Sequence, residues 1–207
     1  MAFEHYIYAD GKQLRCGYTT GTCAALAASG AVQKLLTGVW PETVSLRTPK
    51  GLTVEVPLEH CRMQGDTAQC GVRKDGGDDV DKTTGALIQA NVSLSDIPGV
   101  RIRGGQGVGR VTKPGLDQPV GEAAINRVPR QMIREAVEAA CRTADYDGGA
   151  EVTISVPEGE AIAQKTFNPQ MGIEGGISIL GTSGIVEPMS MQAMIDTMAL
   201  ELRQAAA

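Results

Sequence analysis

Apolar residues recur every three to four positions over residues 22–36, where Ala25, Ser29, Val32 and Leu36 fall on one face and Ala28 and Leu35 widen the stripe. That spacing predicts a first helix, with Thr22 placed as its N-cap and Gly38 as its stop. So many small residues would let another element approach its backbone closely. After Trp40-Pro41 the period changes to two. Residues 43–48 and 52–56 alternate across Pro49-Lys50-Gly51, which is a hairpin signal. Further strands are expected at 68–73, 86–94 and 100–103, interrupted by the glycines of 104–109 and resumed at 110–112. A second helix is expected to begin near Pro129, burying Met132, Ile133, Ala136, Val137 and Ala140. Residues 151–156, 176–180 and 184–186 read as strands. A last helix capped by Ser190 would carry Met194, Ile195, Met198 and Leu202 on one side.

Strands outnumber helices in this pattern, and many of the connections are hairpin-length. The expected class is therefore α+β, a mostly antiparallel sheet layered with about three helices as a two-layer sandwich. With 207 residues, the chain can bury a core without disulfide or metal staples. Residues 1–187 are expected to form that domain and residues 188–207 a connecting helix.

Composition narrows the function. Lys plus Arg number 19 against 24 Asp plus Glu, with no long basic run, and aromatics make up 3% of the chain. Both facts argue against a nucleic-acid partner, which needs basic patches and stacking platforms. Five cysteines, with no C-x-x-C and only His5 and His60 as companions, suggest reduced thiols rather than a zinc site or a disulfide framework. Residues 1–10 lack a signal pattern, and no apolar run approaches the ~20 residues of a membrane span. A cytoplasmic protein with no membrane partner is expected. Glycine, at 26 residues, is nearly twice its usual share of about 7% and lies in clusters between apolar runs, so it reads as shaped loops.

Three of those loops are candidates for chemistry. Gly17-Tyr18-Thr19-Thr20-Gly21-Thr22-Cys23 brings hydroxyls and backbone N–H groups to a helix start, which either attracts an anion or simply caps the helix. It lacks the Gly-Lys-Ser/Thr ending of a nucleotide P-loop. Cys23, in the first turn, is placed where a thiol pKa can fall, but no partner base is visible. Residues 74–85 hold Asp75, Asp78, Asp79 and Asp81, a cluster suited to a cation, an amine or general-base work, or else a solvated acidic turn. If that loop is partly buried, mutual repulsion should raise at least one of its carboxylate pKa values. Gly104-Gly105-Gln106-Gly107-Val108-Gly109 is followed by strand-like residues rather than a helix, so it is no dinucleotide fingerprint. A hairpin that lets a ligand or another backbone approach closely remains open there, and likewise at Gly181-Thr182-Ser183-Gly184.

Taken in order, these loops resemble the CbiD family, the cobalt-precorrin-5B (C1)-methyltransferases. Arg15-Cys16-Gly17 through Ala24, Arg73-Lys74-Asp75-Gly76-Gly77-Asp78-Asp79-Val80-Asp81 and Gly104 through Thr112 carry the resemblance, with Ala124 through Arg130, Pro157-Glu158-Gly159-Glu160 and Gly175 through Val186 in register behind them. The resemblance implies methyl transfer from S-adenosylmethionine to C1 of a cobalt-bearing tetrapyrrole, the metal arriving inside the substrate. On that basis Asp75, Asp78 and Asp79 are the expected catalytic carboxylates, facing the cationic donor or a ring nitrogen. Lys74 or Lys113 would meet substrate carboxylates. Thr19, Thr20, Gly21, Thr22, Gly76, Gly77, Gly104, Gly105, Gly107, Gly109 and Thr182 are the expected binding positions. Where relatives often have Thr-His-Gly, this chain has Thr83-Thr84-Gly85, so Thr84 offers a hydrogen bond in place of a base. Relatives also continue into a second α/β domain. The chain is therefore expected to hold the first half, with a C-terminal half or another copy as its protein partner. The alternative is a non-catalytic corrinoid-precursor-binding domain.

Overall fold

A computed structural model describes residues 3–9 and 11–190, with Ile195 and Ala199 beyond them. Apart from those two, the helix expected after Ser190 lies outside the described residues. The chain opens with a hairpin of β1 (Tyr6–Ala9) and β2 (Lys12–Arg15), then β3 (Gly17–Tyr18) and α1 (Thr20–Thr37). A second hairpin, β4 (Thr43–Arg47) with β5 (Thr53–Pro57), precedes β6 (Glu59–Gln64), β7 (Thr67–Arg73), β8 (Leu87–Ser95) and β9 (Gly99–Gly104). The short strands β10 (Gly107–Val108) and β11 (Arg110–Val111) lead to α2 (Arg127–Thr143), β12 (Gly149–Ser155) and α3 (Gly159–Ala163). Three further short strands close the series, β13 (Ile173–Glu174), β14 (Gly176–Ile177) and β15 (Ile185–Val186).

The architecture is α+β, built on one five-stranded sheet in the order β6-β7-β8-β12-β9. Its pairs are antiparallel except β12 with β9, which run parallel. The exception arises because β12 returns after α2 and inserts between β8 and β9. A period-two pattern marks strands but not their neighbours, so this order was not visible in advance. The edge strand β6 was missed as well, because Glu59–Gln64 is almost wholly polar and exposed.

Alternation sorts the sheet into two faces. Ala68, Cys70 and Val72 on β7, Ile88, Ala90 and Val92 on β8, and Val152 and Ile154 on β12 are buried. The Cys70 thiol donates to the Ala27 carbonyl (3.1 Å), which places that set beneath α1. Rather than burying a single stripe, α1 is buried at every position from Thr20 to Val32. α2 and the β4–β5 hairpin explain the difference, since both pack on α1 in addition to the sheet. A side chain at Gly30 would run into Leu58 and Val44. Five buried alanines and this glycine keep the helix thin enough to be enclosed. The second helix is amphipathic as expected, burying Met132, Ile133, Ala136 and Val137, although it starts at Arg127 and Ala140 is only half-buried.

The glycine-rich segment 104–109 is held by backbone contacts. Gly107 has φ +69° and sits against the Val156 carbonyl, Gly159 and Gly176 so closely that no Cβ fits. Gly107→Ala is expected to destabilise the fold by about 2 kcal/mol or more, from left-handed strain plus the steric clash. A urea midpoint unchanged from the parent chain would refute this.

Candidate functional site

The N-terminus of α1 is sealed by another part of the chain. Thr19, three residues before the expected cap, takes the extended cap conformation (φ −77°, ψ 164°), and its side chain accepts from the Thr22 N–H (3.2 Å). Gly184 O accepts from both Thr19 N (3.1 Å) and the Thr22 hydroxyl (2.6 Å). Leu180 O accepts from Gly21 N (3.1 Å), while the Thr20 hydroxyl accepts from Leu180 N (2.9 Å). Thr19, Thr20 and Thr22 lie within four positions, and periodicity could not choose the cap among them. The choice falls to Thr19 because β3, paired with β15, holds the chain extended up to that point. All three hydroxyls are buried and have internal partners, and Thr182 is exposed on the strap that closes over them. Cys23, one turn in, is fully buried, and burial pushes its thiol up to about 12, the opposite of activation.

The acidic loop packs against the same region. Gly17 meets the backbone of Asp75 and Gly76, and Gly77 (φ +64°) meets the Arg15 and Cys16 carbonyls. These glycines therefore serve the close approach of two backbones. Asp75 accepts from both terminal nitrogens of Arg15 (2.6 and 2.9 Å) and from Gly77 N (2.8 Å). The Arg15 hydrogen bond is the main reason its carboxyl lies below the ordinary range. Asp78, exposed, accepts from the Arg15 backbone N–H (2.7 Å).

Lys74 is only 3% exposed, with its ammonium 2.5 Å from Asp81, which also accepts from the Thr83 N–H (2.7 Å) and hydroxyl (2.6 Å). Burial works to raise the Asp81 pKa, but the Lys74 charge and these hydrogen bonds outweigh it, so the net shift is downward. Asp79 differs from its neighbours. Burial first, and the Asp81 charge second, hold its pKa above the ordinary carboxylate value. The repulsion expected in this loop is thus present at Asp79, but as the smaller cause. Among the described residues no Lys or Arg forms an ion pair with Asp79.

Residues 176–184 link this region to the glycine cluster. Gly109 N donates to Ile177 O (3.0 Å), Ile179 N to Ala124 O (2.8 Å), and Leu180 and Gly184 reach the α1 start as described. Gly105 N binds Ile154 O (2.7 Å), and Gly104 abuts Val108 and Ala123. Lys113 lies elsewhere on the surface, with its ammonium on the Gln170 carbonyl (3.1 Å). The threonine motif, the acidic loop and the strap come together, while Gly104–Gly109 and Lys113 do not join them directly. Arg15 and Asp81 complete the ion pairs of the loop but were not assigned roles from sequence. Two basic residues followed by four aspartates over 73–81 do not say which partners meet. An apolar cleft of ≈ 550 Å³ lies between α1 and α2, lined by Gln33, Leu36, Leu46, Ala136 and Ala140 among others. None of the candidate residues borders it.

Among the described residues, no helix is long and apolar enough to cross a membrane, and no group of three or more His, Cys, Asp or Glu is placed to hold a metal ion.

Glycine loops that lock backbone to backbone around a capped, buried helix define an α+β protein distinct from P-loop and dinucleotide-binding folds. The chain matches the CbiD family over residues 7–188 and belongs to that family. A cobalt-precorrin-5B C(1)-methyltransferase of Geobacillus kaustophilus is 57% identical over 182 residues, covering 88% of this chain and 49% of that protein. One from Ruminiclostridium cellulolyticum is 50% identical over 199 residues, or 96% of this chain and 52% of the relative. The crystal structure of the cobalamin biosynthesis protein CbiD from Archaeoglobus fulgidus superposes with a TM-score of 0.68 at 36% identity, over 94% of this chain and 62% of that one. The chain spans about half the length of the curated relatives it matches.

The depressed Asp75 pKa makes the Arg15 pair a source of stability above the ordinary carboxylate pKa that is lost as pH falls through the lowered folded value. Arg15→Gln is therefore expected to be less stable than the parent near neutral pH, with the gap closing in acid below about pH 4. Urea denaturation across that range measures it, and a gap independent of pH would show the pair has no such role.

Proposed function

We propose that this chain acts in the S-adenosylmethionine-dependent methylation of C1 of cobalt-precorrin-5B, giving cobalt-precorrin-6A in cobalamin biosynthesis. The observation that carries the reading is 57% identity, over 88% of the chain, to a protein of that name. The cobalt belongs to the substrate, and the reaction is one of the cytoplasm. S-adenosylmethionine supplies a methyl group on a sulfonium cation.

The donor set near the α1 start fits such a cation in one respect. Asp79 is a partly buried carboxylate with no ion-pair partner among the described residues, whereas Asp75 and Asp81 are neutralised by Arg15 and Lys74. Asp79 is the residue assigned to face positive charge, either on the donor or at a protonated ring nitrogen. Its low-dielectric surroundings would strengthen that attraction. Asp75 and Asp78 are assigned as positioning residues that fix the loop to Arg15. Lys74 holds Asp81 and keeps like charge from accumulating around Asp79. Methyl transfer needs little acid–base work, so placement and electrostatics are the contributions expected of the protein.

A second reading is a domain that binds the corrinoid precursor without turning it over. Labelled S-adenosylmethionine and cobalt-precorrin-5B, incubated with the purified chain, separate the two. Label at C1 is expected, with Asp79→Asn lowering kcat/KM by roughly 10²-fold. Substrate binding without label would leave the second reading, and neither binding nor label would remove both.

A further inference from the structure

The face of the main sheet turned away from α1 and α2 carries an ordered row of polar side chains. Strand register places Arg62 opposite Gln69, Gln69 opposite Asn91, Asn91 opposite Thr153 and Thr153 opposite Arg103, one residue from each of the five strands. Side chains alternate along a strand, so this row points to the face opposite the Cys70 thiol that meets α1. Arginine stands at both ends of the row, with amides and a hydroxyl between. Outward positions of the five strands add Arg73 and Arg101 against Glu59 and Glu151, a positive balance in a chain of net charge −5.

The row is also set in place. Arg62 Nε donates to Gln69 Oε1 (2.6 Å), and Gln69 Nε2 donates to Gln89 Oε1 (3.0 Å). Gln69 and Gln89 are 5% and 9% exposed although neither long helix covers them. Hydrogen-bonded amides at that depth hold fixed orientations, as a recognition surface requires. Arg103 has a 68% exposed side chain, and its ion-pair contact with Glu151 is long (3.8 Å), so most of its donors remain available.

We propose that this face is the cradle for a flat, carboxylate-bearing tetrapyrrole, which lies across the strands with acid side chains reaching Arg62 at one edge and Arg103 at the other. The inference rests on the corrinoid reading above and adds where the ring sits. Four strand spacings separate the two arginines by roughly 19 Å. That span suits a tetrapyrrole ring with its carboxylate arms extended. Guanidinium groups favour carboxylates through paired N–H donors, while the half-buried Asn91 amide and Thr153 hydroxyl serve shorter arms between them. A protein partner with an apolar interface core would find little to bury here, and charge complementarity therefore selects the polyacid.

The test is an absorption titration of the purified chain with cobyrinic acid, a cobalt corrin with free acetate and propionate arms, and with its fully esterified form. The acid is expected to bind, and the ester to bind at least about tenfold more weakly. The double variant Arg62→Gln, Arg103→Gln alters only exposed side chains and is expected to keep the parent melting temperature while losing about tenfold or more in affinity for the acid. Equal binding of acid and ester, or an unchanged affinity in the double variant, would overturn the cradle. Acid binding lost in Asp79→Asn but intact in the double variant would leave the methylation reading standing without it. A face variant that changed only the sedimentation behaviour would make the surface a protein interface instead. Failure to bind either corrin would remove both the cradle and the reading on which it rests.

Discussion

A helix that begins in the interior must find protein partners for backbone N–H groups that water would otherwise take. The start of α1 is buried on all sides, so its first turn depends on Thr19 and on carbonyls from the 180–184 strap. Much of the local structure follows from that requirement. The strap has to run beside the helix start, and β15 must pair with β3 to deliver it there. The acidic loop must then fold over the remaining side, where Gly17 and Gly77 admit the close approach of backbones. Removing any one of these pieces leaves polar groups uncovered in a place that water reaches poorly.

The charges obey a related logic. A buried ammonium such as Lys74 is tolerable only beside Asp81, and a carboxylate cluster is tolerable only if most of its members are neutralised. Arg15 and Lys74 do this for Asp75 and Asp81, which leaves exposed Asp78 and partly buried Asp79 without an ion pair among the described residues. Of these two only Asp79 is partly buried, where water screens its charge less. The ion pairs hold the loop in shape.

How much of this could be read in the sequence depended on the range of the interaction. The stop of α1 at Gly38, the buried stripe of α2 and the β4–β5 hairpin follow from local spacing, and the structure has all three. Thr22 looked like the N-cap because three threonines are locally equivalent, and only contacts with Leu180 and Gly184, some 160 positions away, distinguish them. α3 escaped notice at five residues, too short for a helical period to show. The resemblance to CbiD pointed to these loops. It could not tell that Asp75 is tied to Arg15 and Asp79 is not, because that difference is one of partners rather than residue type. The polar row from Arg62 to Arg103 was hidden for the same reason, being an alignment of five strands that are scattered along the chain.

The insertion of β12 between β8 and β9 has a consequence for how the molecule comes together. β8 and β9 are antiparallel and separated by only a three-residue turn, the arrangement of an ordinary hairpin. As the chain leaves the ribosome these two strands are complete more than forty residues before β12 exists. Their own pairing is the cheapest contact in reach, since closing a short loop costs little entropy. The finished sheet has no β8–β9 pair, so β12, arriving last, has to lodge between two strands that a three-residue turn already keeps close.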